Sequence, residues 1–390
     1  METFLQYSAL PFWTGLQDEP GIRHTYPFSL VWDKHGFIRQ ENQESVLDEI
    51  VTGYSEQDYA FITAPPGRSV WADELGDLMV EFSGKIIGGA KDAAVLEIGA
   101  GSLYVARKLV DKGNISRYVV VDPALADEDA GDSRITVIPM YIDDYDPVVE
   151  SFDFAFSFNC LEHVPKPLDL LSKIRQALSS DRAGVGLIFP EIERQFETGD
   201  LNAILHEHLN YFTARTARQL FEGCGFSIIS SRVHADELQV MLEARSPINN
   251  ADKEASEEKA RQPDELALTL SQRFQHSVER AKNLLDDARE RGLSVAFHGA
   301  TNGLNNLLYL LGLSRCREYQ IYDADEAKVG RYLPALPVPI RYSTDASYKN
   351  IDLVLVAATT FFSPIREFIV GEVGLGENAI EPLFPLEPEV

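Results

Sequence analysis

One short stretch, Val95-Leu96-Glu97-Ile98-Gly99-Ala100-Gly101-Ser102, constrains the fold of this chain more than any other. Its first four residues are typical of a buried strand. The Gly-x-Gly turn that follows lets the backbone bend tightly and lets a ligand approach the main chain. Strand, turn and the helix that follows predict the βα unit of a nucleotide-binding domain. The predicted apolar face of that helix consists of Leu103, Val105, Ala106, Leu109 and Val110.

Glu97, at the end of this strand, narrows the choice of ligand. A carboxylate in a buried strand is costly without a partner, and it repels a pyrophosphate but suits an amine, a sulfonium or loop amides. The third glycine of the dinucleotide fingerprint G-x-G-x-x-G is also absent, which disfavours an NAD-dependent enzyme. The stretch therefore resembles the first motif of class I S-adenosylmethionine methyltransferases. That resemblance implies cofactor contacts from Glu97, Gly99, Ala100 and Gly101.

Acidic residues follow the next two predicted strands. The apolar run Tyr118–Val121 ends at Asp122, roughly 20 residues beyond the glycines, where a carboxylate binds ribose hydroxyls. The run Ile135–Ile138 leads to Asp143 and Asp144, one of which could meet the adenine amine. We take Asp122 and Asp143 as predicted cofactor-binding residues, and a solvated acid at the end of a strand is the alternative for each.

The fourth predicted strand, Phe152–Phe158, runs into Asn159 and His163. In a doubly wound sheet, ligands bind beyond the carboxyl ends of the strands, so both side chains are expected at the site. A fifth strand, Val185–Pro190, completes the alternation of strands and helices over residues 93–245, which predicts a parallel sheet.

The segment Leu205-His206-Glu207-His208-Leu209-Asn210-Tyr211-Phe212-Thr213 is the most specific local signal after the glycine turn. Two histidines around a glutamate, followed by Tyr-Phe, supply a base, a carboxylate to orient it and an aromatic wall. Thr213 is the predicted N-cap of the next helix. A zinc site is the rival interpretation, but the histidines lack i,i+4 spacing and no third ligand is evident. Surface histidines without a role are the other alternative.

A second α/β unit is predicted at the C-terminal end. The predicted strand Leu293–Phe297 precedes the turn His298-Gly299-Ala300-Thr301-Asn302-Gly303, and a second strand, Tyr319–Tyr322, ends at Asp323. Amides at the start of a helix bind anions, so substrate contacts are expected from Gly299, Ala300, Thr301, Asn302 and Asp323.

Charge and composition exclude some partners. The 390 residues include 35 basic and 61 acidic side chains, a net charge of −26, which disfavours nucleic acid and anionic membranes as general partners. No apolar run is long enough to span a membrane, and the start of the chain lacks the features of a signal peptide. The three cysteines are far apart in sequence, which excludes a Cys-x-x-Cys metal site and favours a cytoplasmic location.

These patterns predict four segments. Residues 1–80 form an aromatic N-terminal arm, with the turn at 59–71 and a Ser69 cap acting as a lid over the site or as packing on the core. Residues 81–245 form the cofactor-binding domain, and 246–291 comprise a polar linker and a long helix. Residues 292–390 form a C-terminal Rossmann-like domain that binds substrate.

With these motifs in view, the chain resembles the sugar C-methyltransferases of deoxysugar biosynthesis, from about Tyr59 onwards. The marks are VLEIGAGS, the Asn159 to His163 spacing, HEHLNYF and the C-terminal FHGATNG with Asp323. The family begins with a zinc-binding cysteine module that this chain lacks, so we expect no metal. Leu205 and His298 stand where the family has tyrosines, and His234-Ala235-Asp236-Glu237 replaces a His-Gly-Gly-Ser stretch.

The resemblance implies methylation of a carbon next to a ketone, on a small acceptor such as a nucleotide sugar. It implies His208 as general base, Glu207 as its orienting carboxylate, and His163 and Asn159 as partners of the carbonyl oxygen. His206 and Tyr211 would contact the substrate, and residues 299–303 would hold its diphosphate. An O- or N-methyltransferase and a catalytically silent S-adenosylmethionine-binding protein remain the alternatives. The chain is expected to be a monomer or a homodimer.

Overall fold

The computed structural model describes residues 2–13, 15–41, 43–55, 70–146, 151–179, 183–234, 236–244, 263 and 265–388. Three sequence predictions fall outside these residues: the turn at 59–69, its Ser69 cap and the linker at 246–262. Among the described helices, none combines the length and apolar content that a membrane crossing requires.

The central layer is a seven-stranded sheet with the order β10-β11-β8-β7-β4-β5-β6. β4 pairs in parallel with β5 and β7, whereas β11 runs antiparallel to both β8 and β10. The strand order reverses between β4 and β7, which places a ligand crevice beyond their carboxyl ends. The strands are β4 (Ala93–Ile98), β5 (Ile115–Val121), β6 (Ile135–Ile138), β7 (Phe154–Phe158), β8 (Gly184–Pro190), β10 (Phe226–His234) and β11 (Glu237–Ala244).

Helices cover this sheet on both faces, which confirms the predicted doubly wound architecture. The helix after the glycine turn buries Val105, Ala106, Leu109 and Val110, as its periodicity predicts. Thr213 caps a later helix in a reciprocal capping box with Thr216, which confirms the predicted N-cap. The helices are α2 (Val70–Ile87), α3 (Tyr104–Asp111), α4 (Pro167–Ala177), α5 (Glu193–Thr198) and α6 (Ala214–Gly223).

The C-terminal domain repeats the parallel α/β plan. Its five-stranded sheet has the order β14-β13-β12-β15-β16, and all its pairings are parallel. The prediction of a second Rossmann-like unit is therefore confirmed. The elements are α7 (Glu265–Glu290), β12 (Val295–His298), α8 (Asn302–Leu310), β13 (Gln320–Asp323), β14 (Arg341–Tyr342), β15 (Leu353–Val356), α9 (Phe362–Phe368) and β16 (Ile380–Pro382).

The N-terminal residues form a sheet of their own instead of the predicted arm. The strands β1 (Thr3–Pro11), β2 (Thr25–Trp32) and β3 (Ile38–Gln40) are antiparallel, and β9 (Asn210–Tyr211) completes the sheet. Helix α1 (Gln43–Ser55) follows β3. Side chains of β1 and β2 share one apolar core with α7 and the C-terminal domain, because alternating aromatic residues give the sheet a buried face. The histidine-rich segment therefore lies where three structural units meet.

Candidate active site

The glycine turn is fixed to the ends of two neighbouring strands. Gly99 and Gly101 have φ angles of +70° and +64°, which glycine adopts readily. A Cβ atom on Gly99 would lie 2.5 Å from the Cys160 sulfur, so no side chain fits there. The Gly101 amide donates to Asp122 Oδ2 at 2.7 Å, and the Gly99 amide donates to the Val121 carbonyl at 3.0 Å. The turn Gly99–Gly101, which has only the Ala100 methyl group as a side chain, therefore forms a cradle of backbone atoms at the carboxyl end of β4. We call it the glycine cradle.

Asp122 lies at the carboxyl end of β5, beside this turn, as predicted. Its Oδ1 atom accepts from the Ala124 amide at 2.8 Å, and the side chain is 5% exposed. Burial raises the pKa of Asp122, although the two backbone hydrogen bonds oppose that effect. Each carboxylate oxygen keeps a second acceptor site, so Asp122 can fasten the turn and bind ribose hydroxyls as well.

Glu97 is buried near the carboxyl end of β4, and it has the hydrogen-bond partner that a buried carboxyl group needs. The Tyr118 hydroxyl donates to its Oε2 atom at 2.8 Å, and the Glu97 side chain is 1% exposed. Burial raises the pKa of Glu97 to about 8, and the charge of Asp122 adds to this effect, while the Tyr118 hydrogen bond opposes it. Glu97 is therefore neutral at pH 7, and a nearby cation would favour its ionised form.

A buried ion pair lies beyond the end of β7. His163 Nε2 is 3.4 Å from Glu162 Oε1, and His163 Nδ1 is 3.0 Å from the Glu207 carbonyl oxygen. Burial lowers the pKa of His163, but the charge and hydrogen bond of Glu162, together with Glu207, outweigh it and raise that pKa to about 9. His163 is therefore an imidazolium at neutral pH.

His208 faces this imidazolium, with ring centroids 5.0 Å apart and ring planes at 75°. Burial lowers the pKa of His208 well below its usual range, and the positive charge of His163 lowers it further. The site thus holds two histidines in opposite protonation states. Such a pair can divide the roles of acid and base between its members.

Asn159 lies next to this pair in a left-handed conformation, with φ at +47°. Its backbone amide donates to the Ile188 carbonyl at 2.7 Å, and its side-chain Nδ2 donates to Glu237 Oε1 at 3.0 Å. Asn159, His163 and His208, predicted from separate motifs, therefore belong to one region of the structure.

Two functional candidates were missed by sequence reasoning. Glu162 is a carboxylate that the structure places against the His163 imidazole. Glu207 contributes its backbone carbonyl to the same ring, and its charge also raises the pKa of His163. Its predicted role as the orienting carboxylate of His208 stays a prediction. Glu237 reaches Asn159 from the tip of the β10–β11 hairpin. For Glu162, the available sequence signal was its position directly before His163. For Glu237, the signal was the stretch 234–237, which differs from that of the resembling family.

His206 and Tyr211 occupy the core of the N-terminal sheet. His206 is 3% exposed and its ring packs against Phe12, Tyr26 and Phe28. The Tyr211 hydroxyl donates to the Leu205 carbonyl at 3.0 Å, and its ring lies 6.1 Å from that of His208. These contacts give both side chains a structural role in place of the substrate contact predicted from sequence.

Asp143 lies in the exposed loop after β6. Its backbone carbonyl accepts a hydrogen bond from Lys173 Nζ at 2.5 Å, which ties the loop to α4. Contact between its carboxylate and adenine stays a prediction.

The C-terminal turn reproduces the backbone pattern of the first one. The Gly299 amide donates to the Tyr322 carbonyl at 2.9 Å, and the Ala300 amide donates to Asp323 Oδ2 at 2.9 Å. Lys328 Nζ also binds Asp323 Oδ2, at 2.9 Å. Asp323 therefore fastens the second turn as Asp122 fastens the first.

The Asn202 side chain occupies the helix start at residues 299–303, where the sequence predicts an anion site. The Asn202 Oδ1 atom accepts from the Gly303 amide at 3.1 Å, and the Asn302 side chain donates to the Asn202 carbonyl at 3.0 Å. The Thr301 hydroxyl accepts from the Leu304 amide, so it caps α8. A diphosphate at this helix start would have to displace Asn202. The turn instead joins the two α/β domains.

One group of side chains could also hold a metal ion. The ligating atoms of Glu162, His163 and His208 all lie within 4.8 Å of one another. Of the two histidines considered from sequence for a zinc site, only His208 belongs to this group, and Glu162 and His163 supply the other ligating atoms. Three protein ligands suffice for a catalytic zinc site, so a metal and the imidazolium proton are alternatives at this place.

Comparison with protein-family models decides the class. Residues 71–231 match a model described as a methyltransferase domain, and residues 233–369 match a C-methyltransferase C-terminal domain. The chain carries a methyltransferase domain followed by a C-methyltransferase C-terminal domain. Both matches indicate a methyltransferase by class, for which S-adenosylmethionine is the expected methyl donor. The two matches meet within β10, so the β10–β11 hairpin lies at the junction of the two family domains.

Individual relatives cover only part of the chain. The tRNA U34 carboxymethyltransferase of Pasteurella multocida (strain Pm70) is 32% identical over 125 residues, which is 30% of this chain. The matched region spans about a third of that enzyme, 36% of its length.

Solved structures give more distant likenesses. An S-adenosylmethionine dependent methyltransferase from Mesorhizobium loti is 16% identical, with a TM-score of 0.34, and covers 43% of this chain and 99% of its own. The N-methyltransferase NodS from Bradyrhizobium japonicum WM9, in complex with S-adenosyl-l-homocysteine, is 13% identical, with a TM-score of 0.38. The match covers 53% of this chain and 100% of the NodS chain. At these TM-scores the likenesses carry no functional argument.

Proposed function

We propose that this methyltransferase transfers a methyl group to a carbon next to a ketone, on a nucleotide-linked sugar or a similar small molecule. The observation that carries the proposal is the neutral His208 imidazole facing the His163 imidazolium across 5.0 Å. Carbon methylation needs both a base for the α-proton and a positive group for the enolate oxygen.

Each residue has one task in this proposal. His208 accepts the α-proton of the acceptor, and the electron pair of the broken C–H bond forms the enolate. The positive charge of the His163 imidazolium, whose two N–H groups face Glu162 and the Glu207 carbonyl, stabilises the developing enolate oxygen. The second N–H of Asn159 Nδ2 donates a hydrogen bond to the same oxygen. Glu162 holds His163 in its charged form, and the Glu207 carbonyl fixes the orientation of its ring.

The glycine cradle fits the methyl donor. Gly99 and Gly101 let a ligand approach the backbone of the turn closely, and Asp122 offers acceptors for ribose hydroxyls at the neighbouring strand end. S-adenosylmethionine, when bound, supplies an electrophilic methyl group and leaves as S-adenosylhomocysteine with the electron pair of the broken C–S bond. The Glu97 carboxyl group, ionised when a cation is near, would stabilise the positive charge of the sulfonium. The proton on His208 then passes to solvent.

Solvent exchange of the α-proton tests this proposal directly. The chain, saturated with S-adenosylhomocysteine, is incubated in D₂O with nucleotide-linked 4-keto sugars, and deuterium uptake next to the ketone is followed by NMR. With S-adenosylmethionine instead, the product should gain a methyl group on that same carbon. Uptake without methylation of any carbon, or neither reaction with any ketone, would contradict carbon methylation.

A second candidate is transfer to oxygen or nitrogen of another small molecule. It is favoured by Leu205, which is 2% exposed and supplies no hydroxyl to the pocket, where the resembling family has a tyrosine. In that case His208 deprotonates a hydroxyl or an amine, and no exchange occurs next to a carbonyl. Binding of S-adenosylmethionine without any product would favour the catalytically silent alternative.

A further inference from the structure

Three buried side-chain oxygens near His163 lack a hydrogen-bond partner among the described residues. They are Asn159 Oδ1, Glu162 Oε2 and Glu237 Oε2. Glu162 is 2% exposed, so water does not solvate it freely. Buried polar atoms without partners are rare because each costs free energy, and a group of them at a site indicates that a ligand supplies the missing donors.

The three residues form one group in space. Asn159 Nδ2 donates to Glu237 Oε1 at 3.0 Å, and the charges of Glu162 and Glu237 interact. All three free atoms are oxygens, and when both carboxyl groups are ionised they can only accept hydrogen bonds, so a ligand that satisfies all three brings donors. An ammonium group carries three N–H donors, whereas a hydroxyl carries one.

Charge supports the same choice. His163 balances the charge of Glu162, whereas Glu237 forms no ion pair with any of the described residues. Burial raises the pKa of Glu237 to about 8, and the charge of Glu162 adds to that rise. A cation placed between the two carboxyl groups would offset both effects.

Glu237 is held in place from the C-terminal domain. Its neighbour Asp236, with φ at +62°, accepts two hydrogen bonds from the Arg194 guanidinium, at 2.9 and 2.7 Å. The Thr360 hydroxyl also donates to Asp236, at 2.6 Å. The hairpin tip is therefore fixed between the two domains, which orients the Glu237 carboxyl before any ligand arrives.

We propose that Glu237 is a specificity-determining residue which, with Asn159 and Glu162, binds a protonated amino group of the acceptor. The inference rests on the proposed function, because it places the amine on the same nucleotide-linked sugar that is methylated. The amine occupies the oxygen-lined side of the site, while the ketone faces His163 and His208.

Titration calorimetry with a matched pair of sugars tests the inference. The full chain, saturated with S-adenosylhomocysteine, is titrated with UDP-glucosamine and with UDP-glucose, which differ in one amino group. Wild type should bind the amino sugar at least about tenfold more tightly, because a charged hydrogen bond is lost with the hydroxyl. Glu237→Gln should abolish the difference, whereas Glu243→Gln, on the same strand, should retain it.

The outcomes separate the two proposals. Binding of both sugars with equal affinity by wild type overturns the role of Glu237 and leaves the proposed function standing. Failure of both sugars to bind overturns the nucleotide-sugar acceptor and this inference with it. Affinity for S-adenosylhomocysteine reports folding of each variant. If Glu237→Gln weakens binding of S-adenosylmethionine yet keeps the sugar preference, the carboxyl faces the cofactor and the inference is wrong.

Discussion

The imidazole rings of His163 and His208 meet edge to face, with centroids 5.0 Å apart, although 45 positions separate the two residues in the chain. The pKa of His163 is raised because Glu162 stabilises its positive charge. The pKa of His208 is lowered by burial and by that same charge on His163. The relationship makes the proposed base neutral at working pH.

Replacing His208 by asparagine tests the base. We expect kcat for methyl transfer to fall about a hundredfold to ten-thousandfold, because general-base catalysis contributes that much, while affinity for S-adenosylmethionine is retained. Single-turnover methyl transfer measures it. His24→Asn, at an exposed histidine, is the matched control. An unchanged rate in His208→Asn would show that another group removes the proton.

The pH profile of kcat/KM tests the ion pair. The raised pKa of His163 keeps it charged below about pH 9, so activity should fall as pH rises through that value. The acid limb should lie below the usual histidine range, because the pKa of His208 is lowered. Glu162→Gln removes the attraction and should move the alkaline limb to lower pH. If this limb stays in place in Glu162→Gln, while exposed Glu222→Gln behaves as wild type, the imidazolium has no role in the rate.

Glu97 should link cofactor binding to pH. Its carboxyl is neutral below about pH 8, and a sulfonium favours the ionised form, so binding of S-adenosylmethionine should release a proton near neutral pH. S-adenosylhomocysteine lacks the sulfonium and should release less. Calorimetry in buffers of different ionisation enthalpy counts the protons. Equal proton release with both compounds would mean that Glu97 does not sense the sulfonium.

Gly303→Ala should weaken the junction between the domains. An added Cβ would lie 2.4 Å from Asn202 Oδ1, and the Asn202 side chain also donates to the Ala357 carbonyl at 2.8 Å. We expect the free energy of unfolding to fall by about 1–3 kcal/mol. Urea denaturation measures it. Gly223→Ala is the matched control, because nothing lies within 4 Å of its added Cβ. Equal stability of both variants would argue against a tight fit at Gly303.

Chelation distinguishes the imidazolium from a bound metal. With His208 as base, dialysis against EDTA should leave methyl transfer unchanged, and added Zn²⁺ should inhibit by binding Glu162, His163 and His208. The rate and the metal content are measured on the same sample. Loss of activity with the metal, and its recovery on adding Zn²⁺ back, would replace the base hypothesis with a metal centre.

Local features of the site were predictable from the sequence. The glycine turn, the acid at the end of β5 and the Thr213 cap depend on residues a few positions apart, and backbone sterics and capping hydrogen bonds fix them locally. The alternation of apolar runs and helices likewise predicted the parallel strands of both α/β sheets, but not the antiparallel pairings of β11 with β8 and β10.

Tertiary structure alone decided how these pieces meet. His163 meets the His208 ring of a segment far along the chain, and His206 becomes a core residue because the N-terminal sheet packs over it. Asn202 occupies the helix start that the sequence assigns to an anion. The burial of these side chains and their electrostatic partners depend on segments far apart in the chain. Local periodicity and motif spacing therefore cannot predict them.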